Sequence, residues 1–254
     1  MDEGRTFKQH GFTITTRKLP ILKAGPIEEM TSKLGIAPPE MIFGDNVARI
    51  EYPDKNWSIE FNAFDALDRV DKKGTELKVA YSKEWHQSRQ NHSDDIKEVV
   101  KPFDWSYSTD YKGTVSGAPA FEPTETSIPL ELLKRPDPIL FFDELILYED
   151  ELADNGITML SCKVRIMPAR LLLLCRFFMR LDDVLFRIRD TRVFVEFGTC
   201  EVTREYLARE EKYEAVKHKL MMQGETGPEA MRDPNRLANL LPIVDGSLEK
   251  LVLK

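Results

Sequence analysis

Over residues 158–166 apolar and polar side chains alternate. Leu160, Cys162, Val164 and Ile166 fall on one phase, and Ser161, Lys163 and Arg165 on the other. A period of two is the mark of a β-strand with one face buried. The next segment repeats it: Leu171, Leu173, Cys175, Phe177, Met179 and Leu181 share one phase, while Arg176 and Arg180 share the other. Asp154-Asn155-Gly156 and Asp182-Asp183 separate the apolar runs, and Asn and Gly accept the positive φ that a tight hairpin needs. The stretch 139–197 therefore reads as an antiparallel meander, which requires no helical crossovers. A buried helix over 171–181 is the alternative, because short apolar runs suit either element.

The chain around this meander has 254 residues, 42% hydrophobic and 31% charged, enough to bury a core without disulfides. Cys162, Cys175 and Cys200 are odd in number and far apart, which suits reduced thiols. No apolar run approaches the roughly 18 residues of a membrane span, and no hydrophobic leader follows Met1. The expectation is a soluble, cytoplasmic protein without a membrane partner. A formal net charge of -7 argues against nucleic acid as the main partner, since phosphate binding wants a basic face.

Catalytic signatures are missing. His10, His86, His92 and His218 form no ligand pair, and no C-x-x-C or H-E-x-x-H spacing occurs. Glycine-rich phosphate loops and a G-x-S-x-G nucleophile elbow are absent as well. Asp143, Glu144, Glu149, Asp150, Glu151 and Asp154 cluster in sequence. They suit either paired-carboxylate hydrolysis or, more plainly, solvated charges on strand ends and a turn. The expectation is no catalytic residue, no metal and no cofactor.

Along the chain, residues 1–11 are polar and read as a flexible tail, and 12–254 as one domain. An edge strand is expected over 13–21 and a helix over 26–34, with Pro26 in its first turn, Glu28 and Glu29 near its positive end and Gly35 ending it. Gly44-Asp45-Asn46 marks a turn, and 47–52 and 57–62 read as paired strands. Residues 64–68 are helical in character with Asn62 as cap, and 82–90 reads as a helix capped by Ser82. Residues 116–138 form a long irregular connection. Val202, Tyr206, Tyr213, Val216 and Leu220 recur at helical spacing across 201–220, followed by a solvated loop over 222–235.

Two features admit a recognition role. In 101–114, Trp105, Tyr107, Thr109 and Tyr111 alternate with Asp104, Ser106, Ser108 and Asp110, as sheet core or as an exposed aromatic platform. In 184–197, Val184, Phe186 and Ile188 are apolar on even numbers, but Val193, Val195 and Phe197 on odd ones. That phase slip predicts a bulge, bend or turn near Asp190 and Arg192, exposing them at a sheet edge, either as a solvated turn or as a recognition site.

The stretches MIFGDNVARI, FNAFDAL, KEWHQSR, KPFDWSYSTDYKGT, FFDELILYEDELADNGI, KVRIMP, RFFMRLDDVLFRIRDTR and REYLARE, with LLPI near the end, resemble the TIPRL family of TOR signalling pathway regulators. The likeness runs from about Phe12 to Leu253. It implies an α+β fold, an antiparallel sheet core flanked by several helices. It further implies a non-enzymatic regulator that binds catalytic subunits of type 2A protein phosphatases, engages their C-terminal tail in a cleft and opposes the active holoenzyme. A TOR-signalling scaffold partnered by a regulatory subunit of the alpha-four type is the alternative, and a small hydrolase a more distant one. By resemblance the phosphatase-binding positions fall on Asp65, Ile128, Ile188 and Asp190, with Arg192 and Tyr206 lining the cleft. Ile188 stands where some relatives carry Met, and Asp183 where relatives can have Gly. On this reading Asp65 and Asp190 converge on one groove.

Overall fold

The computed structural model describes residues 4–73, 102–225 and 227–253. Two antiparallel sheets pack face to face around one apolar core. The smaller holds β1 (Arg5–Gln9), β2 (Phe12–Arg17), β4 (Val47–Tyr52), β5 (Trp57–Asn62) and β6 (Thr114–Ser116), in that order. The larger runs β3 (Met41–Ile42), β8 (Phe141–Asp150), β9 (Gly156–Ile166), β10 (Arg170–Leu181), β11 (Leu185–Glu196), β12 (Glu201–Lys212), β13 (Ile243–Val252) and β7 (Glu122–Pro123). The helices are α1 (Ala24–Leu34), α2 (Ala63–Asp68), α3 (Leu130–Leu133), α4 (Tyr213–Met222) and α5 (Pro234–Leu237). The fold is the expected α+β class, with strands dominant.

The meander is present: β8 to β12 are sequential neighbours, and 171–181 lies in strand β10 rather than in a helix. Its alternation holds, with Cys162, Val164 and Ile166 fully buried while Lys163 and Arg165 are half-buried on the other face. Asp183 takes φ 59° in the β10–β11 turn. Gly156 opens β9 where a Cβ would lie 1.9 Å from the Arg180 carbonyl oxygen, so the strands close only around glycine. Other local readings stand too. Helix α1 ends at Gly35 in the left-handed region, β4 pairs with β5, and the Asn62 side chain accepts the Asp65 N–H to cap α2.

Several expectations give way. Residues 5–9 belong not to a flexible tail but to β1, which pairs with β2; β2 itself is internal to the small sheet, between β1 and β4. Residues 201–212 are strand β12, and helix begins only at Tyr213. Val202 and Tyr206 lie four apart, a spacing shared by both periods, and pairing with β11 and β13 decides for strand. The expected 82–90 helix falls outside the described residues.

Of the 101–114 segment, residues 102–113 form no strand, and only Thr114 enters β6. Both of its phases are buried, Asp104 and Ser106 as completely as Trp105 and Tyr107. It wedges between the sheets because its polar atoms are matched there. The Asp104 carboxylate accepts from the Ser106 N–H and hydroxyl, Arg187 donates to Ser108 at 2.6 Å, and Thr191 donates to the Tyr111 carbonyl at 3.0 Å. An exposed aromatic platform is thereby excluded.

Nor is there a break at Asp190. β11 keeps an unshifted register with both β10 and β12 from Leu185 to Glu196. The apolar phase changes because a different face is covered along the strand. Phe186 and Ile188 pack outward with α4 and α5, through Val216, Leu220 and Leu237. Val193 and Val195 pack inward against the small sheet.

Candidate partner-binding surface

The outer face of the large sheet carries Ile188, Asp190 and Arg192 on consecutive even positions of β11. Asp190 is not at an edge. It is 1% exposed and opposes Arg176 of β10 directly. The Arg176 guanidinium donates from Nε at 2.6 Å and from Nη2 at 2.7 Å to its two carboxylate oxygens, a bidentate pair. The remaining Arg176 nitrogen reaches Asn235 of α5 at 2.8 Å. Arg192, half-buried beside Asp190, is held by Glu205 of β12 at 2.7 Å. The network therefore fastens α5 onto the sheet, and Asp190 has no carboxylate oxygen left over for a partner. Ile188, fully buried under the helices, is a packing residue in this state.

The other resemblance-based positions lie elsewhere. Tyr206 faces inward on β12, opposite Thr191, with the Lys112 ammonium 4.6 Å from its ring centroid. Burial pushes its phenol up to about 12, partly countered by the Arg189 charge and supported by Asp110 and Asp245, so it is a neutral donor at physiological pH. Ile128 is buried in the connection between β7 and β8, which Arg170 ties down by donating to the Leu132 carbonyl and pairing with Asp137 at 3.3 Å. Asp65 sits at the start of α2 on the small sheet, where Asn62 and Thr114 donate to its carboxylate. It lines a shallow hollow of about 480 Å³ with Thr15, Arg17 and Arg49. The expected convergence of Asp65 and Asp190 does not occur, for they occupy outward faces of different sheets with the core between them.

Between α5 and the tied-down connection, the outer face is open. Its floor is formed by Phe142 and Glu144 of β8, Lys163 and Arg165 of β9, and Leu172 and Leu174 of β10, which neighbour one another in register. Pro234 and Asn235 of α5 wall one side over a hollow of about 40 Å³. Sequence reading passed over Arg176 and Arg165. Arg176 shares its phase with the half-buried Leu172 and Leu174 of β10, and Arg165 with the half-buried Ile157 and Met159 of β9, a pattern that signals a face neither fully solvated nor fully covered.

Asp143, Glu144 and Asp150 of the acidic run are held apart in separate contacts. Asp143 points inward and is 3% exposed, not solvated, with Lys18 at 2.5 Å, Arg5 at 3.2 Å and Thr16 donating to it. Glu144 points outward to Lys163, and Asp150 accepts the backbone N–H groups of Glu40 and Leu152. Successive strand residues face opposite ways, so proximity in sequence disperses these charges. Among the described residues no group of three His, Cys, Asp or Glu side chains could hold a metal ion, and no helix is long and apolar enough to cross a membrane.

Comparison with known proteins places this surface in context. A sequence model described as the TIP41-like family matches residues 41–217. The TIP41-like protein of Homo sapiens is 42% identical over 243 residues, covering 94% of this chain and 86% of its own length. A Saccharomyces cerevisiae protein named Type 2A phosphatase activator TIP41 is 42% identical over 268 residues, covering 98% of this chain and 75% of its own. Its Schizosaccharomyces pombe namesake is 34% identical, with 94% and 95% covered. The family expected from the motifs is the one found, and the chain belongs to the TIP41-like family.

Proposed function

We propose that this chain is a non-enzymatic regulator in TOR signalling that binds the catalytic subunit of type 2A protein phosphatases. The observation that carries the reading is the near full-length likeness to two proteins named as type 2A phosphatase activators. The open outer face of the large sheet, rimmed by a helix and a tied-down loop, suits an extended segment of a partner better than a small substrate. Its mixed apolar and charged floor has the composition of a protein–protein contact.

The names speak of activation, whereas family resemblance leads to the expectation of an opposed holoenzyme. A single binding event accommodates both, because a protein that holds the free catalytic subunit withholds it from one assembly and supplies it to another. The test is a titration of purified catalytic subunit with this chain, reading complex formation by calorimetry and phosphopeptide turnover in parallel. A stoichiometric complex with altered turnover is expected. Absence of binding at micromolar concentrations would overturn the reading.

A further inference from the structure

Two of the three cysteines, far apart in sequence, face each other across β9 and β10, where Cys162 is the register partner of Cys175. The ladder fixes what kind of pair they make. At the turn between the strands Met167 and Arg170 exchange both backbone hydrogen bonds, at 2.8 and 3.4 Å. From there antiparallel pairs alternate between hydrogen-bonded and non-hydrogen-bonded, and the register runs unshifted from Leu171–Ile166 to Leu181–Gly156. Counted from Arg170, residues Leu171, Leu173 and Cys175 fall in the non-hydrogen-bonded pairs. The far end agrees, for the Asp182 N–H donates to the Asn155 carbonyl at 2.8 Å, in the phase this count requires. A non-hydrogen-bonded pair brings its Cα atoms to about 4.5 Å and its side chains closest together. That separation lies within the roughly 4.4–6.8 Å that a disulfide spans.

Both thiols point into the core, with Cys162 0% and Cys175 2% exposed. Their other register neighbours on that face are Leu145 of β8 and Thr191 of β11. The contact with the Cys162 sulfur and then burial push the Cys175 thiol well above its ordinary value, with the Asp190 charge adding to them. It is a neutral thiol at physiological pH, and a buried neutral thiol reacts slowly while the sheet is closed. Its partner is nevertheless already in place. An oxidation that reaches either sulfur therefore has a second thiol set against it. Cys200 sits apart, in the turn between β11 and β12, with its Sγ 3.9 Å from the Tyr52 hydroxyl.

We propose that Cys162 and Cys175 form a modification site, closing to a cross-strand disulfide under a hydroperoxide admitted by local opening of the sheet. One thiol sulfur attacks the peroxide, the O–O bond breaks, and a sulfenic acid and water result. The facing thiol then attacks that sulfur, the S–O bond breaks, and a second water leaves as the S–S bond forms. In all, the two thiols lose two electrons and two protons, and hydrogen peroxide is reduced to two waters. The bond staples two interior strands of the large sheet on its core side, so the proposal stands apart from the partner reading above.

The test treats the purified full chain with hydrogen peroxide, without urea and with urea below the unfolding transition. It reads non-reducing tryptic maps, free-thiol counts and thermal melts, with Cys200→Ser and Cys162→Ala alongside. Wild type and Cys200→Ser should give one linkage, between the tryptic segments that end at Lys163 and Arg176, and give it faster in urea. The free thiols of wild type should fall from three to one. Closing a loop in the unfolded chain should raise the thermal midpoint of both proteins, and reductant should return it. Cys162→Ala should form no internal linkage. Wild type that keeps all its thiols, links through Cys200, or carries single cysteines on to sulfinic acid overturns the site. A Cys162–Cys175 linkage seen only in the fully unfolded chain overturns it too. Should Cys162→Ala fold poorly, Cys200→Ser decides, and two free thiols left in that variant after treatment overturn the proposal.

Discussion

At the scale of single residues, the two aspartates that look alike in sequence do different work. Asp190 completes a buried ion pair, and removing one partner of such a pair typically costs about 3–5 kcal/mol because a charge is left uncompensated. Asp190→Asn should therefore lower stability by about 3 kcal/mol in urea denaturation, and loosen α5 through Arg176 and Asn235. Loss of partner binding with an unchanged unfolding curve would instead make Asp190 a direct contact. Asp143 joins the sheets by accepting from Thr16 and Lys18 of the small-sheet side. Burial pushes its carboxyl up, but hydrogen bonds from Lys18 and Thr16, the Lys18 charge and the Glu144 N–H outweigh it and hold it below the ordinary value. A carboxyl lowered in the folded state stabilises fully above its unfolded pKa of about 4, and loses that contribution as pH falls through the lowered value. Acid denaturation should thus steepen below about pH 4, and Asp143→Asn should flatten the curve there while costing about 1–3 kcal/mol at neutral pH. Identical acid profiles for the two proteins would remove Asp143 from the account.

At the scale of elements, β11 gives Phe186 and Ile188 of its first half to the outward apolar cluster, and Val193 and Val195 of its second half to the inward one. Ile188→Asp and Val193→Asp should then each destabilise by several kcal/mol, although they lie on opposite faces, because each buries an unpaired charge. A bulged strand would expose one of them, and a thermal midpoint unmoved by either substitution would restore that picture. This strand also marks how far the sequence reading reached. β9 and β10 were legible because one face of each packs inward along its length, so their alternation runs unbroken. β11 was not, since helices from 213–241 cover only one end of it, and nothing local announces which face a distant element will cover. The 103–111 wedge misled for a related reason: its alternation of aromatic and small polar residues mimics a strand, but the polar half is buried against Arg187 and Thr191 from about eighty residues away. Asp143 read as solvated because its partners Arg5, Thr16 and Lys18 lie in a segment whose pairing the sequence does not declare. At the candidate site Ile188, Asp190 and Arg192 share one face of β11, but Arg176 and Glu205, the partners of Asp190 and Arg192 on the adjoining strands, were invisible in the sequence.

At the scale of the whole molecule, the sandwich separates the resemblance-based positions into independent places. Asp65 braces the Asn62 cap of α2 beside the small sheet, Asp190 clamps α5 to the far face of the large one, and stacked sheets lie about 10 Å apart even before side chains are counted. The two carboxylates share no hydrogen-bond partner. Substitutions at sites that distant and unshared usually add within about 0.3–0.5 kcal/mol. Asp65→Ala should cost about 1 kcal/mol through the weakened cap and the lost Thr114 bond. The double variant Asp65→Ala/Asp190→Asn should then lose the sum of the single effects. Asp143→Asn and Thr16→Val, which share one hydrogen bond across the sheets, should by contrast fall short of additivity by about 0.5 kcal/mol or more, by the order of magnitude for residues in contact. Urea unfolding of the four singles and two doubles measures both cycles on one footing. Coupling of about 1 kcal/mol or more between Asp65 and Asp190 would mean that the faces communicate through the core, and would return the two aspartates to a common site.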